Sequence, residues 1–592
     1  MRARPTLPTL VVLTLLAVCA TQVVAQELKH YPPNTGVFKD VQAPLSPTMR
    51  FWASDRGKEV LLHSSNPAAL GLLHWFHPEA VSQYPQEPLR KAAPVGAAAH
   101  VVSRPPVTTT GCGTTTGTVM NLESPVNAVG QYGPLVDFIL SELGSGEDLV
   151  AEFGLDIRGV YYGIFDSYDA MYVHRDATQP CYGGTDFEMG NPPISDPFGG
   201  GLEMTGAGGG RILADPNPAH KQFILADMRF DGQTSGIALR RIAASNLEST
   251  TTCPAGTLTL AQEATCAGTN GIIVFASEDN ASDAPAIAQD PRTSGTGAGD
   301  IYVISPSVRD LRTVILISAC KATFASISDC SSPAILSGST SGALPSVTVV
   351  GGGPNAGAVA ITYVTSDYEG KFISCTPNGA PNPPTCSSSH TIATDTNFFA
   401  ELTDNPGLEI TTWPQIVART DSGGQTLFVT WSDCKATGTG LYGCPQAEIV
   451  VATDTSLTSP AWTLHHIYGA EDRFSPNLAY DPGQGIVTVA YYDTVGDAYK
   501  NRKQMAVNQF APGSTTPGST VVLNTTYDSL QGDGTEFGFE FGLGDFVGVA
   551  AHGGSASGSS RVYVGFTSNA RPGTYGSITN TQADNDILRA TY

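Results

Sequence analysis

Apolar and polar positions follow one pattern that recurs along most of the chain: Pro or Gly, an apolar strand, a Gly-rich turn, and a second strand that ends near an aromatic residue and Asp. The two clearest copies begin at Pro414 and Pro476 and end at Asp433 and Asp493. Looser copies begin near Pro134, Gly210, Pro285, Pro345 and Asp545. The chain therefore contains about seven units, spaced by roughly 60 to 75 residues.

A repeat of this length, built from short β-rich runs and Gly, Asn and Asp turns, is typical of four-stranded propeller blades. Third strands are predicted at 237–240, 314–317, 448–452 and 586–588. We predict an all-β fold, a seven-bladed β-propeller of antiparallel blades with an irregular N-terminal extension. Six blades remain the alternative if the unit near Gly210 or Pro345 is an insertion.

The N-terminal residues predict export. A basic start, an apolar stretch and the small residues of Val23-Val24-Ala25 indicate a signal peptide over residues 1–25. Cys19 offers a lipoprotein alternative, although the preceding Val fits a lipobox poorly. Residues 26–125 lack the repeat and are interpreted as an extension with a Pro-, Thr- and Gly-rich linker, followed by the propeller at 126–592. No later run approaches the roughly 20 apolar residues of a membrane span.

The cysteines are spaced as local pairs. Of the 11 in the chain, Cys19 falls in the signal peptide. The predicted pairs are Cys253 with Cys266, Cys320 with Cys330, Cys375 with Cys386, Cys434 with Cys444 and, at longer range, Cys112 with Cys181. In an exported chain such pairs indicate disulfides, and no Cys-x-x-Cys spacing suggests zinc.

The formal net charge is −23 at pH 7. Nucleic acid binding requires clustered Lys and Arg, so this charge argues against nucleic acid and anionic membranes as partners. Calcium is the one cofactor that the acidic composition suggests, because carboxylates in turn-rich loops are suitable ligands. Examples are Glu278-Asp279, Asp283, Glu471-Asp472 and Asp584-Asn585-Asp586, none with EF-hand spacing. We therefore assign no metal site.

Two segments carry a resemblance to a known family. Asp472-Arg473-Phe474-Ser475-Pro476 ahead of an apolar strand, and Gly544-Asp545-Phe546-Val547-Gly548 ahead of Val562 to Phe566, resemble exported bacterial sialidase-like (BNR-type) propeller proteins. The resemblance covers about residues 127–592. It implies a propeller fold and a role connected with extracellular glycans.

The family's chemical motifs are incomplete here. Sialidases carry Asp boxes on the hairpin between third and fourth strands, and the nearest equivalent is Thr453-Asp454-Thr455-Ser456 with Trp462, which lacks the box Gly. Their three substrate-binding Arg residues have only Arg158, Arg211 and Arg473 as candidates, and no Arg-Ile-Pro motif is present. The sequence also lacks a Gly-x-Ser-x-Gly elbow, a His-Glu-x-x-His motif and a phosphate loop. The resemblance therefore does not imply sialidase activity.

Several polar residues near the starts of inner strands are candidates for chemistry. Those proposed for catalysis are Asp283, Asp472, Arg473, Asp545 and His552, and those proposed for ligand contact are Trp413, His465 and His466. Each has a structural alternative: Asp as a turn residue, His on a solvated loop, and Trp as packing between blades.

Three function classes remain. The favoured one is a non-catalytic binder of an extracellular glycan or envelope component. The alternatives are a carbohydrate-active enzyme, a glycoside hydrolase or polysaccharide lyase with its site at the central channel, and a structural or adhesive surface protein. The enzyme alternative requires the catalytic candidates to converge.

Overall fold

The computed structural model covers the repeat region. The residues described are Lys58, Ala80, 119–121, 131–140, 148–156, 168–175, 186–190, 194–195, 203–206, 210–217, 219–230, 235–268, 271–277, 285–309, 312–336, 338–339, 342–365, 369–394, 399–402, 405–411, 413–421, 424–434, 444, 446–469, 472–494, 502–523, 528–529, 547–552, 561–568, 573–575, 578–580 and 584–591. The predicted signal peptide and nearly all of the extension lie outside them.

Seven antiparallel sheets form the blades of a propeller, so the predicted fold and blade number are confirmed. The strands of each blade are listed from the channel outward. Blade 1 contains Gln131–Leu140, Asp148–Asp156, Tyr168–His174 and Phe187–Gly190, and blade 2 contains Arg211–Ala214, Gln222–Phe230, Ser235–Ala243 and Ile272–Ser277. Blade 3 contains Ala286–Gln289, Ile301–Arg309, Arg312–Cys320 and Ala334–Ile335, and blade 4 contains Gly342–Val349, Val359–Thr365, Gly370–Thr376 and Thr385–Cys386. Blade 5 contains Gln415–Asp421, Gly424–Cys434, Ala447–Asp454 and Thr463–Ile467, and blade 6 contains Arg473–Asp481, Ile486–Asp493, Arg502–Phe510 and Val521–Val522. Blade 7 contains Gly548–His552, Arg561–Ser568, Asp584–Thr591 and Val119–Asn121. The units near Gly210 and Pro345 are blades rather than insertions.

The inner strands contact one another in chain order around the ring, and the inner strand of blade 7 contacts that of blade 1. The outer strand of blade 7 comes from the other end of the propeller. Val119 pairs with Ala590, Met120 with Arg589 and Asn121 with Leu588. This closing strand lies within the segment interpreted from the sequence as extension and linker.

Shorter elements decorate the blades. They are the strands Ile194–Ser195 and Glu203–Gly206 beside blade 2, Gly256–Thr257 on blade 1, His390–Ala393 on blade 4 and Asp528–Ser529 on blade 6, the hairpins Phe399–Leu402 with Asn405–Thr411 and Gly573–Tyr575 with Ile578–Asn580, the helices α1 (Ala244–Glu248) and α2 (Leu260–Ala267), and the 3₁₀ turn Ile327–Asp329. Both helices belong to an insertion between the third and fourth strands of blade 2, which also adds Gly256–Thr257 to blade 1. Among the described helices, none has the length and apolarity to cross a membrane.

Local chemistry explains the hairpins. In blade 6 the Asp481 Oδ1 accepts hydrogen bonds from the backbone N–H groups of Gly483 and Gln484 at 2.8 and 3.2 Å, and Gly485 adopts φ +70°. Asp thus stabilises the turn, and Gly supplies the left-handed residue that a side chain would disfavour. The repeated strand, Gly turn, strand pattern is this hairpin.

The core lies between blades. Apolar clusters join blades 1 and 2, 3 and 4, 4 and 5, 5 and 6, and 6 and 7. Phe428 of blade 5 and Phe510 of blade 6, for example, meet edge to face with ring centroids 5.1 Å apart. Because both faces of a blade are covered, third strands such as Ala447–Asp454 are buried along their whole length. This explains their continuous apolar sequence.

Four predicted disulfides are confirmed: Cys253–Cys266, Cys320–Cys330, Cys375–Cys386 and Cys434–Cys444. Three of them lie in the stretch from the third to the fourth strand of blades 2, 3 and 4, and Cys434–Cys444 closes the loop between the second and third strands of blade 5. Disulfides of this kind persist in oxidising compartments. Cys112 and Cys181 lie outside the described residues.

Candidate functional site

All inner strands of a propeller run in the same direction, so their first residues share one rim, here called the upper rim. Trp413, Asp472 and Arg473 lie there, at or just before the starts of the inner strands of blades 5 and 6. His552 is the last residue of the inner strand Gly548–His552. At about 3.3 Å per residue, it lies roughly 13 Å down the channel from the upper rim. The structure therefore separates His552 from Asp472 and Arg473.

Asp283 and Asp545 lie outside the described residues, as does the side chain of His552. Most of the carboxylates considered for calcium also lie outside them. Within the described part of the chain, no three His, Cys, Asp or Glu side chains are grouped so that they could hold a metal ion. Calcium binding by this protein therefore stays a suggestion from its acidic composition.

Asp472 and Arg473 are buried and make structural contacts. The Asp472 carboxylate is 1% exposed and accepts the N–H of Ala447 at 2.8 Å. The Arg473 Nε lies 3.1 Å from Asp493 Oδ2, and its Nη1 donates to the carbonyl of Tyr468 at 3.2 Å. The two residues therefore join the start of blade 6 to blade 5.

Trp413 is 4% exposed. Its Nε1 donates to the carbonyl of Pro345 in blade 4 at 2.9 Å, and the guanidinium of Arg211 from blade 2 lies 4.6 Å from its ring centroid. One face of the Trp413 ring and its indole N–H therefore already have partners inside the protein. This arrangement agrees with the packing alternative, and stacking of a sugar on Trp413 stays a prediction that requires Arg211 to move.

The upper rim combines hydrogen-bonded polar side chains with two residues in the left-handed backbone conformation. Ser475 and Leu344 both have φ +50° where a bulge interrupts an inner strand and a proline follows. Such conformations cost free energy for residues other than glycine and cluster at functional sites. Asn477 Nδ2 donates to the carbonyl of Val547 at 2.7 Å, and Ser346 Oγ lies 3.4 Å from Gln415 Oε1. These bonds fix neighbouring inner strands to each other.

His465 and His466 lie on the outer strand of blade 5, on opposite faces. The Nδ1 of His466 lies 2.9 Å from Glu448 Oε1, and the imidazole is 45% exposed. His465 Nε2 lies 3.1 Å from Thr453 Oγ1. Burial, followed by the charge of His466, lowers the pKa of His465. Of the pair, His466 is the side chain held by a carboxylate and presented to solvent.

An exposed tyrosine follows this strand at once. Tyr468 is 58% exposed, yet its backbone is held firmly. Its carbonyl accepts from Arg473, and the next carbonyl, of Gly469, accepts from Gln446 Nε2 at 2.7 Å. Because two side chains hold this connection against blades 5 and 6, the phenol ring projects from a fixed base.

Glu448, which contacts His466, lies opposite a second carboxylate on the neighbouring strand. Asp433 and Glu448 are paired directly in the antiparallel ladder, and Ile449 pairs with Ile467, which places Tyr468 next to Glu448. We call Asp433, Glu448, His466 and Tyr468 the blade 5 corner. Sequence reasoning found only His466 of these four. The strand ends at Asp433 and Glu448 were visible in the sequence, but their register across the loop closed by Cys434–Cys444 was not.

Hydrogen bonds from Asp454 stabilise the hairpin that was interpreted as a degenerate Asp box. Asp454 Oδ1 accepts the N–H of Ser456 at 2.6 Å, and Oδ2 accepts that of Ala461. Trp462 packs edge to face on Phe372 of blade 4, with centroids 5.4 Å apart. These contacts stabilise the hairpin and its seam with blade 4.

Comparison with known proteins yields distant structural likenesses alone. No family model matches the chain, and no curated protein matches it significantly. A polysaccharide lyase, Uly1, shares 10% identity at a TM-score of 0.37, covering 81% of this chain and 94% of its own. An exo-β-1,3-galactanase from Clostridium thermocellum shares 10% identity at a TM-score of 0.29, covering 80% of this chain and 100% of its own. The propeller assignment rests on the strand pairing described above.

Proposed function

We propose that this protein is an exported propeller that binds extracellular glycans through the blade 5 corner. The observation that carries the proposal is Tyr468, a large aromatic side chain that is 58% exposed on a backbone held by Arg473 and Gln446. An aromatic ring on a backbone that is already held gives a flat apolar platform without the entropic cost of ordering a loop on binding. The apolar face of a sugar ring can stack on such a platform.

The neighbouring polar groups supply what a sugar also requires. The Glu448 and Asp433 carboxylates are acceptors for hydroxyl groups, and the His466 imidazole contributes a ring nitrogen whose role is set by its contact with Glu448. Ligand sites generally combine an apolar surface with a few well-placed polar groups. The blade 5 corner combines these two kinds of group in four side chains.

Binding without turnover is favoured over catalysis because of the contacts of Asp472 and Arg473, the two catalytic candidates whose side chains lie in the described part of the chain. Asp472 accepts a backbone N–H while 1% exposed, and Arg473 is paired with Asp493. Neither side chain is presented to solvent for a reaction. The four disulfides and the predicted signal peptide support an extracellular location for the binding event.

The test is a glycan-binding measurement on the purified mature protein, for example by calorimetry with a panel of uncharged, acidic and amino oligosaccharides. We expect Tyr468→Ala to reduce affinity for the bound glycan at least tenfold. The matched control is Ile335→Ala, which removes a 55% exposed apolar side chain from the outer strand of blade 3. Equal affinity of wild type and Tyr468→Ala would refute the location, and failure to bind any oligosaccharide would refute the function. Product release, assayed in parallel, would restore the enzyme alternative.

A further inference from the structure

We infer that the bound glycan lies lengthwise along the outer strand of blade 5, so that the protein recognises the interior of a linear, non-acidic polysaccharide rather than a single terminal sugar. This inference rests on the proposed function and specifies its ligand class. The observation that carries it is a row of three exposed side chains, Leu464, His466 and Tyr468, along this strand and just past its end. We call these three side chains the outer row.

The outer row follows from the geometry of an extended strand. Leu464 and His466 occupy alternate positions of the strand Thr463–Ile467, and residues two apart in a strand share a face. Tyr468 stands at the next alternate position, one residue beyond the end of the strand. At about 3.3 Å per residue, roughly 10 Å separate Leu464 from the end of the strand, and Tyr468 extends the row further. A single sugar ring covers only part of this length.

The outer row is open to a ligand. Leu464 is 42% exposed and Tyr468 58% exposed, and the imidazole of His466 is 45% exposed. In the part of the chain that the structure describes, Thr463–Ile467 is the outermost strand of its sheet. Backbone N–H and C=O groups along the outer edge of such a strand can meet sugar hydroxyl groups beside the row.

Glu448 orients the polar member of the row. Its side chain is 8% exposed, and its Oε1 lies 2.9 Å from His466 Nδ1. Because a carboxylate accepts hydrogen bonds, we assign the proton of the neutral imidazole to Nδ1, which makes Nε2 an acceptor. Nε2 is then the ring nitrogen that can accept a hydrogen bond from a sugar hydroxyl.

The order of groups in the row matches a sugar chain. Leu464 and Tyr468 offer apolar surface at two separate points, and His466 offers a polar contact between them. A polysaccharide likewise presents apolar ring faces that are separated by hydroxyl groups. A chain laid along the strand therefore meets all three side chains, whereas one sugar on Tyr468 leaves Leu464 without a ligand contact.

The charges near the row disfavour an acidic ligand. Residues 461–469 contain no Lys or Arg, the side chains that usually bind carboxylate and sulfate groups. Arg473 reaches this segment through the carbonyl of Tyr468, and its guanidinium is paired with Asp493. The whole chain carries a formal charge of −23, which repels polyanions.

The test is an affinity series measured by calorimetry on the purified mature protein. The probes are cello-, manno-, xylo- and N-acetylchito-oligosaccharides, each from the disaccharide to the hexasaccharide. In at least one series we expect the hexasaccharide to bind about tenfold or more tightly than the disaccharide. The reason is that a sugar chain anchored on Tyr468 reaches His466 and Leu464 only when it is long enough.

Variants of the strand locate the added contacts. Leu464→Ala should weaken binding of the hexasaccharide about fivefold, because apolar contact area is lost, and should leave the affinity for the disaccharide unchanged. Tyr468→Ala should weaken binding of both. Thr463→Ala is the matched control, because Thr463 is exposed on the same strand but its side chain points to the opposite face. It should leave both affinities at the wild-type value.

The outcomes separate the two proposals. Equal affinities for disaccharide and hexasaccharide in every series that binds would overturn lengthwise binding, while glycan binding through Tyr468 stands. An unchanged hexasaccharide affinity in Leu464→Ala would overturn it in the same way, and binding confined to acidic oligosaccharides would overturn the ligand class. Absence of binding to neutral, acidic and amino oligosaccharides alike would instead overturn the proposed function.

Discussion

The guanidinium of Arg211 in blade 2 lies 4.6 Å from the ring centroid of Trp413, which precedes the inner strand of blade 5. These blades are not neighbours in the ring, so the contact crosses the channel mouth. Trp413 also donates to Pro345 of blade 4. The Trp413 side chain therefore connects three blades, and its contact with Arg211 links opposite sides of the upper rim.

This tie should be measurable by a double-mutant cycle. We expect Arg211→Met and Trp413→Leu each to lower the free energy of unfolding, with a coupling of about 0.5 to 2 kcal/mol between them, the usual range for a cation–π pair. Chemical denaturation of wild type, both single variants and the double variant gives the coupling directly. Strictly additive effects would show that the pair contributes nothing across the channel.

Buried tyrosines predict loss of stability at alkaline pH. Burial is the largest cause that raises the pKa of Tyr491 to about 12, and burial together with Asp148 raises that of Tyr563 well above 10. A raised pKa means that the neutral phenol is favoured in the folded state. Its stabilising contribution is complete below pH 10, the value for the unfolded chain, and is lost as the pH rises toward 12 for Tyr491.

For each such tyrosine the loss is about 1.4 kcal/mol per pH unit within this window. Tyr491→Phe should have a shallower decline than wild type between pH 10 and 12, measured from urea midpoints at each pH. Since Phe also loses the hydrogen bond to Asn508, its stability at neutral pH serves as the reference. An unchanged slope would exclude Tyr491 as a source.

Arg175 should control the docking of the helical insertion of blade 2. It is 4% exposed, and its Nε and Nη2 donate to the carbonyls of Leu247 and Cys253 at 2.6 and 2.5 Å. Arg175→Met leaves both carbonyls without this donor, at a cost of about 2 to 4 kcal/mol.

Hydrogen exchange should then rise selectively over residues 244–268. Arg241→Met is the matched control, because Arg241 donates to the carbonyl of Phe324 at another seam. If both variants loosen residues 244–268 equally, the effect is global and Arg175 has no special role there.

Removing the closing strand should destabilise the ring. A chain that begins at residue 126 lacks Val119–Asn121 and exposes the edge of the strand Asp584–Thr591. Exposed strand edges promote aggregation, and the ring also loses its one described link between the two ends of the propeller within blade 7. We expect a lower melting temperature and concentration-dependent association, compared with a chain that begins at residue 115. Identical melting of the two chains would contradict this role.

The sequence by itself determined the features whose signals are local. The unit that starts at Pro414 and the one that starts at Pro476 each predicted a hairpin, because the Gly turn and the apolar strands that form it are adjacent in the chain. Cys434 and Cys444 were paired correctly for the same reason, since a separation of 10 residues brings them together within one loop. Repetition of such units predicted the propeller fold and favoured seven blades, and the structure resolved the remaining choice between seven and six.

Only the tertiary structure decided which distant residues meet. Val119 completes blade 7, and Arg211 covers Trp413, because closure of the ring brings together segments that no local pattern relates. Asp433 faces Glu448 only in one strand register, and a shift by a single residue would turn either side chain to the other face. The alternation of buried and exposed positions can be read from residues that are adjacent in the chain. The curvature of the ring and the register of its strands depend on how the whole chain packs.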